Sequence, residues 1–218
     1  MRGQHRSRAN ADGDRELRAG RSVTAIRFNP RTRERSLDAL RLGLVPHGAK
    51  DISIGADLIH ARCETVAEKP SFREAFAQRR CLIPAQAFYQ RKKSKSGWML
   101  YAIEPTDIAC FSFAAIWENW RDTLVPGGAW IRTCAIITCP PNELVAPFHD
   151  RMPAILPPET WPKWLGEIPA DRDELLAMLK PYPASRMRVR PLSARVNEVG
   201  DDGADLFEPV IADGGVRV

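Results

Sequence analysis

The chain has no C-x-x-C pair, and its five cysteines, Cys63, Cys81, Cys110, Cys134 and Cys139, are odd in number. Neither a structural zinc site nor a disulfide framework is therefore signalled, and the thiols are expected to be reduced. Histidine is scarce. His5, His47, His60 and His149 show no H-E-x-x-H spacing, so neither a metal nor another cofactor is expected. No apolar run is long enough to span a bilayer, and Met1 to Arg21 are polar and arginine-rich, without the apolar stretch of a signal peptide. A membrane protein and a secreted one are both disfavoured, and a cytoplasmic chain is expected. No internal repeat is visible.

With 218 residues, 44% of them hydrophobic, the chain can bury one substantial core, so a single domain is expected, as a monomer. A net charge of +5 and a pI near 9.1 suit a polyanionic partner without requiring one. Residues 1–21 carry almost no large apolar side chains and read as a poorly ordered arm, which leaves 22–218 as the domain.

Short β-type runs dominate that domain. Val23 to Phe28 and Leu40 to Leu44 read as a hairpin whose turn is Arg31 to Arg35, followed by a loop from Pro46 to Ala56. Further runs are Cys81 to Pro84, Phe88-Tyr89, Trp98 to Tyr101, Cys110 to Phe113 and Cys134 to Ile137. Ser71 and Glu74 have the spacing of a capping box opening a helix that runs to Arg80. Pro158 to Leu165 and Asp171 to Lys180 also read as helices, the latter with a capping box in Asp171 and Glu174. Many strands and few helices predict an α+β domain on a curled, mainly antiparallel, barrel-like sheet with peripheral helices.

Four segments then occur in one order: Arg41 to Pro46; Ile59 to Thr65 with Glu68 to Phe72; Arg80 to Ala85 with Phe88-Tyr89; and Phe148 to Pro153. Together they resemble the SRAP family, the SOS-response-associated peptidases that crosslink to abasic sites in single-stranded DNA. The resemblance covers roughly 23–195. It implies a mature N-terminal cysteine whose amine and thiol condense with the opened abasic sugar to give a thiazolidine, the same cysteine being thought to cut its own leader. It also implies an asparagine in an Asn-Ala-Arg motif that holds the reacting groups, a glutamate in Phe-Tyr-Glu-Trp that moves a proton, and a His-Asp-Arg histidine that assists ring opening.

Carried over position by position, His149 matches the family histidine and Arg62 the motif arginine, whereas His60 stands where the family has asparagine and Gln90 where it has glutamate. Those three, His149, Gln90 and His60, form the implied catalytic set, and Arg62, Thr138 and Arg151 the implied DNA contacts. An amide at position 90 cannot do the acid/base work of a carboxyl near neutral pH. Arg91 replaces the tryptophan of that motif, and position 2 is Arg2 where the family has cysteine. A misplaced start upstream of Met1 would account for Arg2, although not for His60 or Gln90. The expectation is a family member that binds abasic single-stranded DNA with its covalent step impaired, so enzymatic activity is left open.

Plainer readings stand beside these. Arg62 and Arg151 are as readily ion-paired with Glu64 or Asp150 as held for phosphate, and the run Arg91-Lys92-Lys93-Ser94-Lys95 is as readily a solvated loop as a backbone track. Trp117, Trp120, Trp161 and Trp164 read as packing residues. Two other functions remain: a non-covalent single-stranded DNA module, and a Cys-His peptidase pairing Cys63 or Cys139 with His149, the former because Arg62 adjoins Cys63 and a nearby cation lowers a thiol pKa.

Overall fold

The computed structural model describes residues 19–94, 97–125 and 127–192. Most of the arm expected over 1–21, and 193–218 of the expected domain, lie outside the described residues. Strand β1 (Ser22–Asn29) and strand β2 (Glu34–Leu42) form the expected hairpin, in register from Ser22↔Arg41 to Asn29↔Glu34. Strands β3 (His60–Arg62), β4 (Arg80–Ala85), β5 (Phe88–Ser94), β6 (Gly97–Pro105), β7 (Phe111–Trp120), β8 (Ile131–Cys139), β9 (Met152–Pro153) and β10 (Met187–Pro191) follow. Seven of these strands make one sheet in the order β2-β1-β4-β7-β8-β3, with β9 also on β8. A short parallel pairing of β2 with β8, Arg41↔Thr133 and Leu42↔Cys134, closes five of them into a barrel. A second sheet, β10-β6-β5, lies apart from this ring. The architecture is the α+β, barrel-like single domain that the sequence predicts.

The barrel is filled as its pattern requires. In β7 eight of the ten side chains are buried and alternation is lost, because neighbours cover both faces. Its run of Ala114 and Ala115 between Phe113 and Ile116 gives no strand signal, which is why sequence patterning stops the strand at Phe113. Gly43 follows β2 with φ +105, and a Cβ there would lie 2.4 Å from the Gly55 carbonyl oxygen, so only glycine lets these two backbones touch. The loop continues over the barrel, where the Val45 N–H donates to Thr133 Oγ1 at 2.9 Å, both groups buried.

The helices are short and peripheral. Helix α1 (Arg73–Gln78) has Phe72 as its N-cap and no side-chain cap, so the Ser71/Glu74 box is not formed. The N–H groups of Phe72 and Arg73 are already taken by the Lys69 carbonyl. At its other end Arg80 donates to the carbonyls of Phe76 and Ala77, which satisfies the orphan acceptors of the last turn. Helix α2 (Trp161–Leu165) follows a 3-10 turn at Pro158–Thr160, and helix α3 (Arg172–Ala177) opens on the full Asp171/Glu174 capping box. Trp164 is completely buried, donates to the Cys81 carbonyl at 2.9 Å and meets Phe76 edge-on, so α2 is pinned to β4. Trp120 is buried, Trp161 donates to the Leu156 carbonyl and Trp117 lies under Arg27, so all four tryptophans expected to pack do so. No helix of the described residues is long and apolar enough to cross a membrane.

Candidate functional site

The pleat of β3 explains how two residues of one tripeptide come to share a surface. Side chains alternate along a strand, so His60 and Arg62 point one way while Ala61 is buried the other way. Parallel pairing sets His60 beside Ile136 and Arg62 beside Thr138 of β8. On the far edge of β8, Thr138↔Pro153 and Cys139↔Met152 bring in β9, and with it the segment carrying His149 and Arg151. From the second sheet, Phe88 and Gln90 alternate onto the same side of β5. A cavity of about 510 Å³ results, lined by His60, Arg62, Phe88, Tyr89, Gln90, Phe113, Ile136, Thr138, His149, Arg151 and Pro153 among others. All six residues singled out from the sequence thus face one space.

Arg151 is the most constrained of them. Its Nη1 donates to Glu64 Oε1 at 2.6 Å and its Nη2 to Glu64 Oε2 at 2.9 Å, a bidentate pair, while Nη2 also donates to the Thr138 carbonyl at 2.6 Å. The ion-pair reading of Arg151 is therefore met, with Glu64 as the partner. Thr138 Oγ1 donates to the Ala61 carbonyl at 3.5 Å and accepts from Arg151 Nε at 3.4 Å, so its hydroxyl ties β3, β8 and Arg151 together. The Arg62 side chain, in contrast, is exposed, and no hydrogen bond or ion pair joins it to another described residue.

His149 has two alternative partners for one nitrogen. Its Nδ1 accepts the Arg151 N–H at 2.9 Å, which places the proton of the neutral ring on Nε2; Asp150 Oδ1 also lies 2.9 Å from Nδ1 and is the partner for the protonated ring. Half of the His149 side chain is exposed. His60 is held below the ordinary histidine range, first by the protein that surrounds the cavity wall although solvent still reaches the ring, and second by repulsion from His149.

The Arg151 guanidinium lowers the Glu64 carboxyl from 4.5 to about 2. Both shifts act in one direction. Where the folded pKa lies below the unfolded one, the unfolded chain binds more protons and stability rises with pH. Stability is expected to fall on acidification below 6.5 through His60, and again between 4.5 and about 2 through Glu64. The Glu64 step is worth only about 1 kcal/mol, because 47% of that side chain is open to water. Urea unfolding against pH checks this, with Glu64→Gln expected to remove the lower step and His60→Asn the upper.

The cysteines run against the expectation for a nucleophile. Burial and Glu64 raise the Cys63 thiol despite Arg151, and burial pushes Cys139 up to about 12. Arg62 does not supply the lowering that its place in the sequence suggests, since Arg151 is the cation felt at Cys63 and it is already neutralised by Glu64. Among the described residues no cluster of three or more His, Cys, Asp or Glu side chains is placed to hold a metal ion.

Glu64, read from the sequence only as one of two ion-pair partners, sets Arg151, as above. One contributor was not singled out from the sequence. Asn142 is buried and accepts from the N–H groups of Leu144 and Val145 while donating to the Tyr182 carbonyl at 2.7 Å, which fixes the loop that delivers His149. The Pro140-Pro141-Asn142 turn signal was its only trace in the sequence. At the rim, Phe148 meets Tyr101 edge-on at 5.0 Å and lies under the Lys92 ammonium at 5.1 Å.

Comparison with known proteins agrees with this geometry. Residues 4–199 match the family model described as SOS response associated peptidase (SRAP). The chain is 40% identical over 173 residues to the abasic site processing protein YoqW of Bacillus subtilis, covering 79% of this chain and 76% of that one. It is 28% identical to the abasic site processing protein HMCES of Gallus gallus, over 81% of this chain and 58% of the relative. A crystal structure of a Bacteroides thetaiotaomicron protein superposes with a TM-score of 0.78 at 25% identity, covering 88% of this chain and 82% of that one. The chain belongs to the SOS response associated peptidase (SRAP) family.

Proposed function

We propose that this chain binds single-stranded DNA at abasic sites in the cavity lined by His60, Gln90 and His149, and that it holds the lesion without the covalent step. The observation that carries the reading is the convergence of Arg62, Thr138 and Arg151 with those three residues on one cavity of about 510 Å³. Relatives named abasic site processing proteins support the substrate class. Arg62 is the open cation for a phosphate, and Arg151 exchanges Glu64 for one. His149 offers a ring nitrogen to the opened sugar, its other nitrogen being held by the Arg151 amide.

The impairment rests on internal positions. Gln90 carries an amide, which neither gives nor takes a proton as a carboxyl does. His60 is held below the ordinary histidine range by the surrounding protein and by His149, which favours the neutral ring as a hydrogen-bonding group toward the sugar. The raised thiols of Cys63 and Cys139 oppose a peptidase built on either.

The test is incubation with a single-stranded oligonucleotide containing one abasic site. The expected result is binding that weakens as salt rises, with no species surviving heat and a denaturing gel. A heat-stable adduct would overturn the loss of the covalent step, and equal affinity for intact and abasic strands would overturn lesion recognition.

A further inference from the structure

A second cavity, of about 680 Å³, opens at the other end of β8, lined by Ala39, His47, Glu74, Arg79, Glu118, Asn119, Trp130 and Arg132. Arg132 lies four positions along β8 from Ile136, the nearest β8 residue lining the first cavity, which at ~3.3 Å per residue is roughly 13 Å. The two cavities flank one strand but share no lining residue.

Its composition is selective once internal bonds are counted. Glu118 is only 6% exposed, and both its oxygens are used, one by the Asn119 N–H at 2.9 Å and the other by Arg79 at 2.6 Å. Arg79 also bonds Glu74 at 3.1 Å, so this arginine is shared between the buried Glu118 and the mostly exposed Glu74. Arg132 reaches only Asp38, at 3.5 Å, and Asp38 is already bonded more closely by Arg27 and Ser36. Its guanidinium, half exposed, has donors to spare.

Trp130 is 54% exposed, an unusual position for a large apolar ring. His47 lies nearly parallel to it at 6.1 Å between centroids, and the Arg121 guanidinium stands 4.9 Å from the ring centre. A half-exposed indole with cationic and imidazole neighbours, beside the Arg132 guanidinium with donors to spare, is a set that takes a planar base with its phosphate.

We propose that this cavity is a second nucleotide-binding subsite, where Trp130 stacks a base of single-stranded DNA and Arg132 takes the adjoining phosphate. The inference goes beyond lesion binding, because it needs no abasic sugar and none of the first cavity's residues.

The test compares two probes by fluorescence anisotropy: an undamaged oligothymidylate of about 12 nucleotides, long enough for such a module, and an abasic oligomer of about 4 nucleotides. Trp130→Ala is expected to weaken the long probe about tenfold and to leave the short one unchanged. Trp130→Phe should recover most of the loss. Arg132→Gln should reduce the slope of log affinity against log salt by about 1. Since Trp130→Ala could unfold its loop, thermal melting accompanies it, and Arg132→Gln gives a readout that does not depend on that ring. Unchanged binding of the long probe by both Trp130→Ala and Arg132→Gln would overturn the subsite. So would displacement of the long probe by free thymidine monophosphate at equal nucleotide concentration, which assigns the cavity to a mononucleotide. A wild type that binds the long probe through Trp130 but ignores the short abasic one would sink the lesion reading and leave this subsite standing.

Discussion

Arg151→Ala is expected to weaken abasic single-stranded DNA binding by about tenfold or more and to cost about 2 kcal/mol of stability. The guanidinium reaches both Glu64 oxygens and the Thr138 carbonyl, so truncation removes a phosphate donor, strands a carboxylate and leaves the carbonyl without that donor. Glu64→Gln should act in the opposite direction on binding. The amide keeps the shape of the carboxylate but not its charge, so Arg151 exchanges it for phosphate more readily, and affinity should rise several-fold at low salt. Anisotropy titrations at two salt concentrations, with urea unfolding alongside, check both variants. Wild-type affinity in Arg151→Ala would make this arginine a strut between β3 and β8 and nothing more.

Trp164→Ala should cost about 3–5 kcal/mol, the largest effect on stability expected of a single change in this chain. The indole is wholly buried, meets Phe76 edge-on and donates to the Cys81 carbonyl, and Arg80 Nε donates to the carbonyl of Trp164 itself at 2.6 Å. Removal opens a large hole where α1, α2 and β4 meet and leaves a buried carbonyl without a donor. Trp164→Phe keeps most of the volume and loses only the N–H, so it should retain over half of that loss as stability. Urea midpoints of the two variants measure the difference, and a cost below about 1 kcal/mol for alanine would mean that the site collapses around the gap.

Much of this organisation was legible because it is written in periods and turn residues. The β1–β2 hairpin follows from alternation around a polar turn, and the α3 capping box from Asp171 and Glu174, with Asp171 in the extended conformation that a cap needs. The same spacing misled at Ser71 and Glu74, because the turn accepted by the Lys69 carbonyl shifts the helix start by one residue and makes Phe72 the cap. Strand β10 went unread, although Met187-Arg188-Val189-Arg190 alternates plainly; its arginines are anchored by Glu104 across the sheet, a pairing distant in sequence.

The candidate site divides in the same way. The family likeness supplied His60, Gln90 and His149, and strand alternation explains why His60 and Arg62 share a face. The Glu64–Arg151 lock was visible only as one of two ion pairs, since nothing local decides between Glu64 and Asp150. Trp98 and Trp130, both more than half exposed, drew no attention in the sequence because exposure is a property of the assembled surface.

The parallel seam between β2 and β8 also constrains how the molecule comes into being. Arg41 meets Thr133, so the ring joins positions 92 residues apart, and the cost of bringing such distant segments together falls before any seam contact forms. During synthesis the hairpin can zip as soon as it leaves the ribosome, yet the Arg41-Leu42 end of its outer edge stays unpaired until β8 emerges. A nascent chain stalled between these two points would present that edge to its neighbours, and it is there that a chaperone would be needed.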